Sequence, residues 1–149
     1  MDYLHDDISK LIRFIDKNGL PDFLQELIEI IGYDGAYRLT QRYGGQIKYV
    51  AKSAGRSSMR EILSEKELIA LCGYYGGETL EIPKADHFYK QVRNIRIMQA
   101  LASGKSRAQV AKEFSLGIRQ IGNIKKEYKH HDYSSISEIM NSWTGRMNI

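Results

Sequence analysis

The sequence has almost none of the residues that form covalent or metal cross-links, and it has no long apolar run. Cys72 is the only cysteine, which excludes an internal disulfide bond and a cysteine-based zinc site. No window approaches the roughly 18 consecutive apolar residues that span a bilayer. The acidic start MDYLHDDISK lacks the basic-then-apolar pattern of a signal peptide. The sequence therefore predicts a cytoplasmic protein with no membrane association.

Positive charge is concentrated in the second half of the chain. Residues 1–83 carry 10 Lys or Arg and 13 Asp or Glu, whereas residues 84–149 carry 12 Lys or Arg and only 5 Asp or Glu. Such an asymmetry indicates that the second half binds an anionic partner. The alternative that the composition leaves open is a solvated basic surface that binds nothing.

A ten-residue pattern occurs twice in the first half. YGGQIKYVAK at residues 43–52 and YGGETLEIPK at residues 75–84 align without a gap at an offset of 32 residues. In each copy a helical pattern ends at a glycine pair, Gly44-Gly45 or Gly76-Gly77, and a short strand pattern follows. A phosphate-binding loop requires the reverse order, with the strand before the helix. The glycine pairs therefore predict helix ends rather than a ligand site.

The two predicted strands, 47–50 and 78–82, each need a partner because their backbone N–H and C=O groups are otherwise unpaired. We expect the two copies to pack as a pseudo-twofold pair with their strands adjacent. Pairing of each strand with another subunit is the alternative. Residues 52–60, which join the copies, are small, polar and basic, and they predict a flexible connector.

The helical patterns of the first half have recognisable ends. Asp22 is expected as the N-cap of a helix that Gly32 ends, and a further helix is expected over Asp34–Tyr43. Ser64 and Glu67 form a capping box that begins the helix of the second copy. The expected first half is thus a series of short helices with one strand after each glycine pair.

The second half predicts three helices. The first has an apolar stripe made of Phe88, Val92, Ile95, Met98 and Ala102. Ser106 and Gln109 form a second capping box, which begins a helix over Arg107–Phe114. The spacing that follows is typical of a helix-turn-helix, with a small residue at the crossing and apolar residues around the turn and on the second helix. These core positions are Ala111, Phe114, Leu116, Ile121 and Ile124.

Two features of this segment bear on its function. Ser115 occupies the turn position that glycine usually takes, so we expect some strain there.

The exposed face of the second helix is expected to enter a DNA major groove, where Arg119 would donate two hydrogen bonds to guanine and Gln120 or Asn123 would pair with adenine. The expected base-reading residues are Ile118, Arg119, Gln120 and Asn123, and the expected phosphate contacts are Lys105, Ser106, Arg107, Lys125, Lys126 and Lys129. A plain three-helix core with solvated lysines is the alternative.

No arrangement of residues in the sequence indicates catalysis. Paired carboxylates, a metal-ligand cluster and an activated nucleophile are all missing from the pattern. Adjacent His130 and His131 would point about 100° apart on a helix. We therefore expect no enzyme activity, no metal and no cofactor.

Four segments occur together in a fixed order: LIEIIG at 27–32, the GG–strand–Pro–Lys run at 76–84, RNIRI at 93–97 and the predicted helix-turn-helix at 106–126. With them, the chain resembles the Mor (middle operon regulator) transcription activators of Mu-like phages and related prophages, over about residues 20–129. The resemblance implies a homodimer that binds a dyad-symmetric promoter element and helps host RNA polymerase to start transcription. The first copy departs from the family pattern, because it ends in Ala-Lys rather than Pro-Lys.

The combined prediction is a predominantly helical α+β protein. Residues 1–84 are expected to form a dimerisation scaffold with tandem helix–GG–strand repeats at 27–52 and 64–84. Residues 85–130 are expected to form a helix-turn-helix DNA-binding domain of three helices, and residues 131–149 a polar tail. The predicted function is that of a sequence-specific transcription activator. A DNA-binding accessory subunit of a phage recombination or packaging complex is the alternative, and a small nuclease or transferase is disfavoured.

Overall fold

The computed structural model describes residues 8–128 of the chain. Lys129, the histidine pair at 130–131 and the predicted tail lie outside these residues. The described chain is predominantly helical with one two-stranded antiparallel sheet, as the α+β prediction expected. Its main elements are α1 (Asp22–Tyr43), β1 (Ile47–Tyr49), α2 (Glu65–Tyr75), β2 (Thr79–Glu81), α3 (Asp86–Ala102), α4 (Arg107–Phe114) and α5 (Ile118–Tyr128).

The chain divides into two compact units, Met1–Lys90 and Gln91–Ile149, and the division falls inside α3. No helix within residues 8–128 is long and apolar enough to cross a membrane. The first unit contains both copies of the repeat and the sheet. The second unit contains most of α3 together with α4 and α5.

Helix α1 is broken where the sequence predicts an end. Gly32 has φ 81° and ψ 171°, which are not helical angles, so α1 consists of two helical segments that meet at this residue. The predicted N-cap was one residue too late, because the structure has Pro21 as the N-cap and Asp22 as the first helical residue. An acidic side chain in the first turn still interacts favourably with the helix dipole.

The two strands pair with each other within one chain. Ile47 lies opposite Glu81, Lys48 opposite Leu80, and Tyr49 opposite Thr79, in antiparallel register. At the offset of 32 residues, Lys48 and Leu80 are equivalent positions, so this pair lies on the twofold axis that relates the copies. The hypothesis of an in-chain pseudo-twofold pair is therefore confirmed, with strands slightly shorter than predicted.

Hydrogen bonds outside the strands follow the same twofold pattern. The N–H of Gly45 donates to the carbonyl of Ile82 at 2.8 Å, and the N–H of Gly77 donates to the carbonyl of Val50 at 2.8 Å. Both glycines have a left-handed φ, 81° for Gly45 and 89° for Gly77. The second glycine of each pair thus turns the chain from helix to strand, where other residues would be strained.

The connector between the copies is more structured than its composition suggests. We expected a flexible segment, but the chain forms 3-10 helices over Ala54–Arg56 and Ser58–Glu61. The hydroxyl of Ser57 accepts a hydrogen bond from the Met59 N–H at 3.1 Å. Met59 is buried. Its burial was not predicted, because its neighbours in the sequence are polar.

One ion pair joins the two copies in the first unit. Nη2 of Arg38, on α1, lies 2.7 Å from Oε2 of Glu67, on α2. The other carboxylate oxygen of Glu67 accepts the Ser64 N–H at 2.8 Å, and the Ser64 hydroxyl accepts the Glu67 N–H, so the predicted capping box is present. Arg38 also donates to the carbonyl of Ile62 at 2.8 Å. A single carboxylate therefore both begins α2 and links it to α1.

The second unit has its own apolar core. The buried members come from all three of its helices and are Ile97, Val110, Ala111, Ile121, Ile124 and Tyr128. Of the predicted α3 stripe, Phe88, Val92 and Ile95 are buried as expected and Met98 is half-buried. Ala102 is exposed, and Ile97 is buried instead. The stripe shifts because the C-terminal half of α3 packs against α4 and α5 rather than continuing the face that begins at Phe88.

Candidate nucleic-acid interface

Helix α4 begins and ends at the predicted residues, Arg107 and Phe114. The Ser106 hydroxyl accepts the Gln109 N–H at 3.1 Å, and the Gln109 side-chain oxygen accepts the Ser106 N–H at 2.8 Å. This capping box satisfies N–H groups that would otherwise lack partners at the helix start. The Ser106 side chain, expected to contact phosphate, is thus part of the cap.

The turn between α4 and α5 is tight and left-handed. Ser115 has φ 56° and ψ 43°, and it is the only residue other than glycine within residues 8–128 that is recorded with a positive φ. The Leu116 N–H donates to the carbonyl of Ala111 at 2.9 Å, which closes the turn. An L-residue other than glycine pays a steric cost in this conformation, so the expected strain at Ser115 is present in the geometry.

The predicted core positions of the α4–α5 pair are brought together, although not all are fully buried. Ala111, Ile121 and Ile124 are buried. Phe114 and Leu116 are only half-buried and pack against the edge of this core, which corrects the expectation that both are buried. Phe114 is the last residue of α4, and Leu116 lies in the turn that follows.

The opposite face of α5 is exposed and cationic. Of the four predicted base-reading residues, Ile118, Arg119 and Asn123 line one open groove with a volume of about 520 Å³. Gln120 is exposed but does not line this groove. The complete lining is Arg107, Ile118, Arg119, Gly122, Asn123, Lys125 and Lys126. Four of these seven residues carry cationic side chains and none is acidic, so the groove favours an anionic ligand.

Arg107 lies closer to the exposed face of α5 than the sequence predicted. A Cβ atom built on Gly122 would be 3.4 Å from Nη1 of Arg107. The guanidinium of this α4 residue therefore lies over the α5 backbone, at a position where α5 has no side chain. Arg107 was expected to contact phosphates beside the helix, and the structure adds it to the groove itself.

The remaining expected phosphate contacts differ in their availability. Lys125 and Lys126 are exposed and line the groove. Nζ of Lys105 lies 2.8 Å from Oε2 of Glu113, so this lysine is held in an ion pair on the surface. Lys129 lies outside the described residues. The positive charge of the groove thus comes from Arg107, Arg119, Lys125 and Lys126.

Sequence reasoning missed the polar contacts that hold the end of α5. Asn94 Nδ2 donates to the Tyr128 hydroxyl at 3.4 Å, and this hydroxyl lies 3.5 Å from Oε1 of Gln91. All three side chains are buried. Tyr128 continues the apolar face of Ile121 and Ile124 at helical spacing, and extension of that stripe by one turn would have found it.

Comparisons with known proteins give no relative from which a role could be transferred. No protein-family model matches the chain, and no curated protein and no solved structure matches it. The functional argument therefore depends on the residues and geometry of the groove.

Proposed function

We propose that α4, the turn at Ser115 and α5 form a helix-turn-helix, and that the protein is a sequence-specific DNA-binding transcription regulator. The observation that carries the proposal is the open groove on α5. Its four cations are held beside two potential base-reading side chains, Arg119 and Asn123. An anionic ligand with hydrogen-bonding edges matches this lining, and duplex DNA presents both phosphates and base edges.

The roles of the groove residues follow from their chemistry. The major groove of B-DNA is about 12 Å wide and admits one α-helix, which would be α5. Arg119 would donate two hydrogen bonds to guanine, and Asn123 would pair with adenine. Lys125 and Lys126 would contact phosphates, which fix the helix in place without reading sequence.

The regulatory part of the proposal rests on the resemblance to Mor activators. It includes a dyad-symmetric promoter element and a contact with RNA polymerase. Each chain contributes one α4–α5 pair, so a dyad element would take two chains. The paired strands already satisfy each other within the chain, and we propose that the two chains associate through another surface.

Fluorescence anisotropy of a labelled 20-base-pair duplex tests DNA binding. About four phosphate contacts would lower the affinity by roughly a hundredfold between about 50 and 200 mM salt. On a duplex of arbitrary sequence Arg119 would contact phosphate rather than a matching guanine, so Arg119→Ala should reduce the dependence of log K on log salt by about one unit. The control is Arg60→Ala, at an exposed arginine in the first unit, which should leave binding unchanged. Absence of binding at low salt would overturn the proposal.

A further inference from the structure

One apolar side chain lies exposed within the cationic groove. Ile118, the first residue of α5, is 57% exposed, whereas Ile121 and Ile124 on the same helix are 0% and 5% exposed. The core therefore accounts for two isoleucines of α5 but not for the third. Ile118 lines the groove beside Arg119 and Asn123, which are polar.

The glycine one turn later keeps this side chain uncovered. A side chain on a helix leans back over the turn before it, so a larger residue at position 122 would cover Ile118. Gly122 has no side chain to do so, and the space over its backbone holds the Arg107 guanidinium. The groove thus presents one apolar spot on the face of α5 that bears the potential base-reading side chains.

Base edges in the major groove offer one apolar group, the 5-methyl group of thymine. We propose that Ile118 reads thymine by packing against this methyl group. The inference rests on the proposed function, since it assumes that α5 enters the major groove. Arg119 and Asn123 would read their bases through hydrogen bonds. Ile118 would contact the methyl group of a thymine at a neighbouring position.

Deoxyuridine provides the test, because it lacks only the 5-methyl group and pairs like thymine. The wild-type chain first selects its preferred sequences from a pool of duplexes with a randomised centre. Each thymine of the best duplex is then replaced singly by deoxyuridine, and affinities are compared by anisotropy. We expect one position at which the loss of the methyl group weakens wild-type binding about fourfold, as burial of one methyl-sized group implies.

Ile118→Ala is the matched variant, and its side chain is exposed, so the core of the second unit stays intact. For this variant the thymine and deoxyuridine duplexes should bind equally, while Ile118→Val should retain part of the discrimination. Circular dichroism confirms that each variant is folded. Equal binding of every deoxyuridine duplex by the wild type would overturn the thymine assignment and leave DNA binding intact. Discrimination that persists in Ile118→Ala would assign the methyl contact to another residue. Failure of the wild type to select any duplex would instead overturn the proposed function.

Discussion

Gly76 packs directly against the backbone of Lys52, because a Cβ atom on Gly76 would lie 3.1 Å from the Cα of Lys52. The contact related to this one by the twofold axis is also present, since a Cβ atom on Gly44 would lie 3.0 Å from the Cα of Lys84. The first glycine of each copy thus meets the lysine that ends the other copy. This reciprocal contact leaves no room for a side chain at the first glycine of either copy, and the side chains of Lys84 and Lys52 lie against the second glycines, Gly45 and Gly77.

Replacement of Gly76 by alanine should destabilise the first unit. The added Cβ would lie 3.1 Å from the Cα of Lys52 and would clash with the Cys72 carbonyl oxygen, and neither backbone atom can move without a backbone shift. Such overpacking costs about 1–3 kcal/mol of unfolding free energy. Urea unfolding followed by circular dichroism measures the change.

Gly73→Ala is the matched control for this substitution. Gly73 lies inside α2, and a Cβ atom there has no neighbour within 4 Å among the described residues. Alanine should stabilise the helix by about 0.5–1 kcal/mol. Equal effects of the two substitutions would contradict the packing of Gly76 against Lys52.

Replacement of Ser115 by glycine should stabilise the second unit, because glycine adopts φ 56° without the steric cost that a Cβ atom brings. We expect a gain of about 1 kcal/mol in unfolding free energy. Ser115→Ala keeps the Cβ atom and should give no gain. Thermal unfolding measures the stability of the two variants. A stabilised alanine variant would show that the hydroxyl, rather than the backbone angle, is the source of strain.

The dual role of Glu67 predicts a graded response to substitution. Glu67→Gln keeps the capping interaction with Ser64 and loses the charge that pairs with Arg38, at an expected cost of about 1 kcal/mol. Glu67→Ala loses both contacts and should cost about 2 kcal/mol. Glu29→Gln, which removes the exposed partner of Lys17, should cost less than about 0.5 kcal/mol. Urea midpoints give the order, and equal costs for all three would argue against the role of Glu67.

Alkaline pH should destabilise the first unit through Tyr75. Burial, and then the neighbouring Glu26 carboxylate, raise the pKa of this hydroxyl well above its ordinary value of 10.0. The unfolded chain therefore loses this proton first, so stability is retained below about pH 10 and falls as the pH rises further. Tyr75→Phe should reduce this fall in urea unfolding between about pH 8 and pH 11. Tyr49→Phe, at an exposed tyrosine, should preserve the fall, and an unchanged slope in Tyr75→Phe would contradict the prediction.

Replacement of Gly122 by alanine should stabilise the second unit and weaken DNA binding. Alanine favours the helix by about 1 kcal/mol, but its Cβ would lie 3.4 Å from Nη1 of Arg107. We therefore expect a higher unfolding temperature together with weaker binding to the selected duplex. Arg107→Lys, which keeps the charge and loses the planar guanidinium, should weaken binding without the gain in stability. Unchanged affinity in both variants would remove Arg107 from the groove's function.

Local signals in the sequence were sufficient where one chemical group decides the structure. The capping box at Ser106 determined where α4 begins, and the glycine pairs determined where α1 and α2 end, because both act on neighbouring backbone groups. The twofold relation was also predictable, since the sequence repeats itself and a lone strand needs a partner. The groove residues Arg119 and Asn123 followed from the spacing of the buried Ile121 and Ile124.

Contacts between residues distant in the sequence were decided by the tertiary structure alone. The repeat did not say whether its strands pair within one chain, and the antiparallel register of Lys48 with Leu80 settles it. The sequence placed Arg107 among phosphate contacts, yet the packing of α4 on α5 brings its guanidinium over Gly122. Local patterns encode which face of a helix is apolar, but the positions of side chains across two packed helices depend on their crossing, which no single segment specifies.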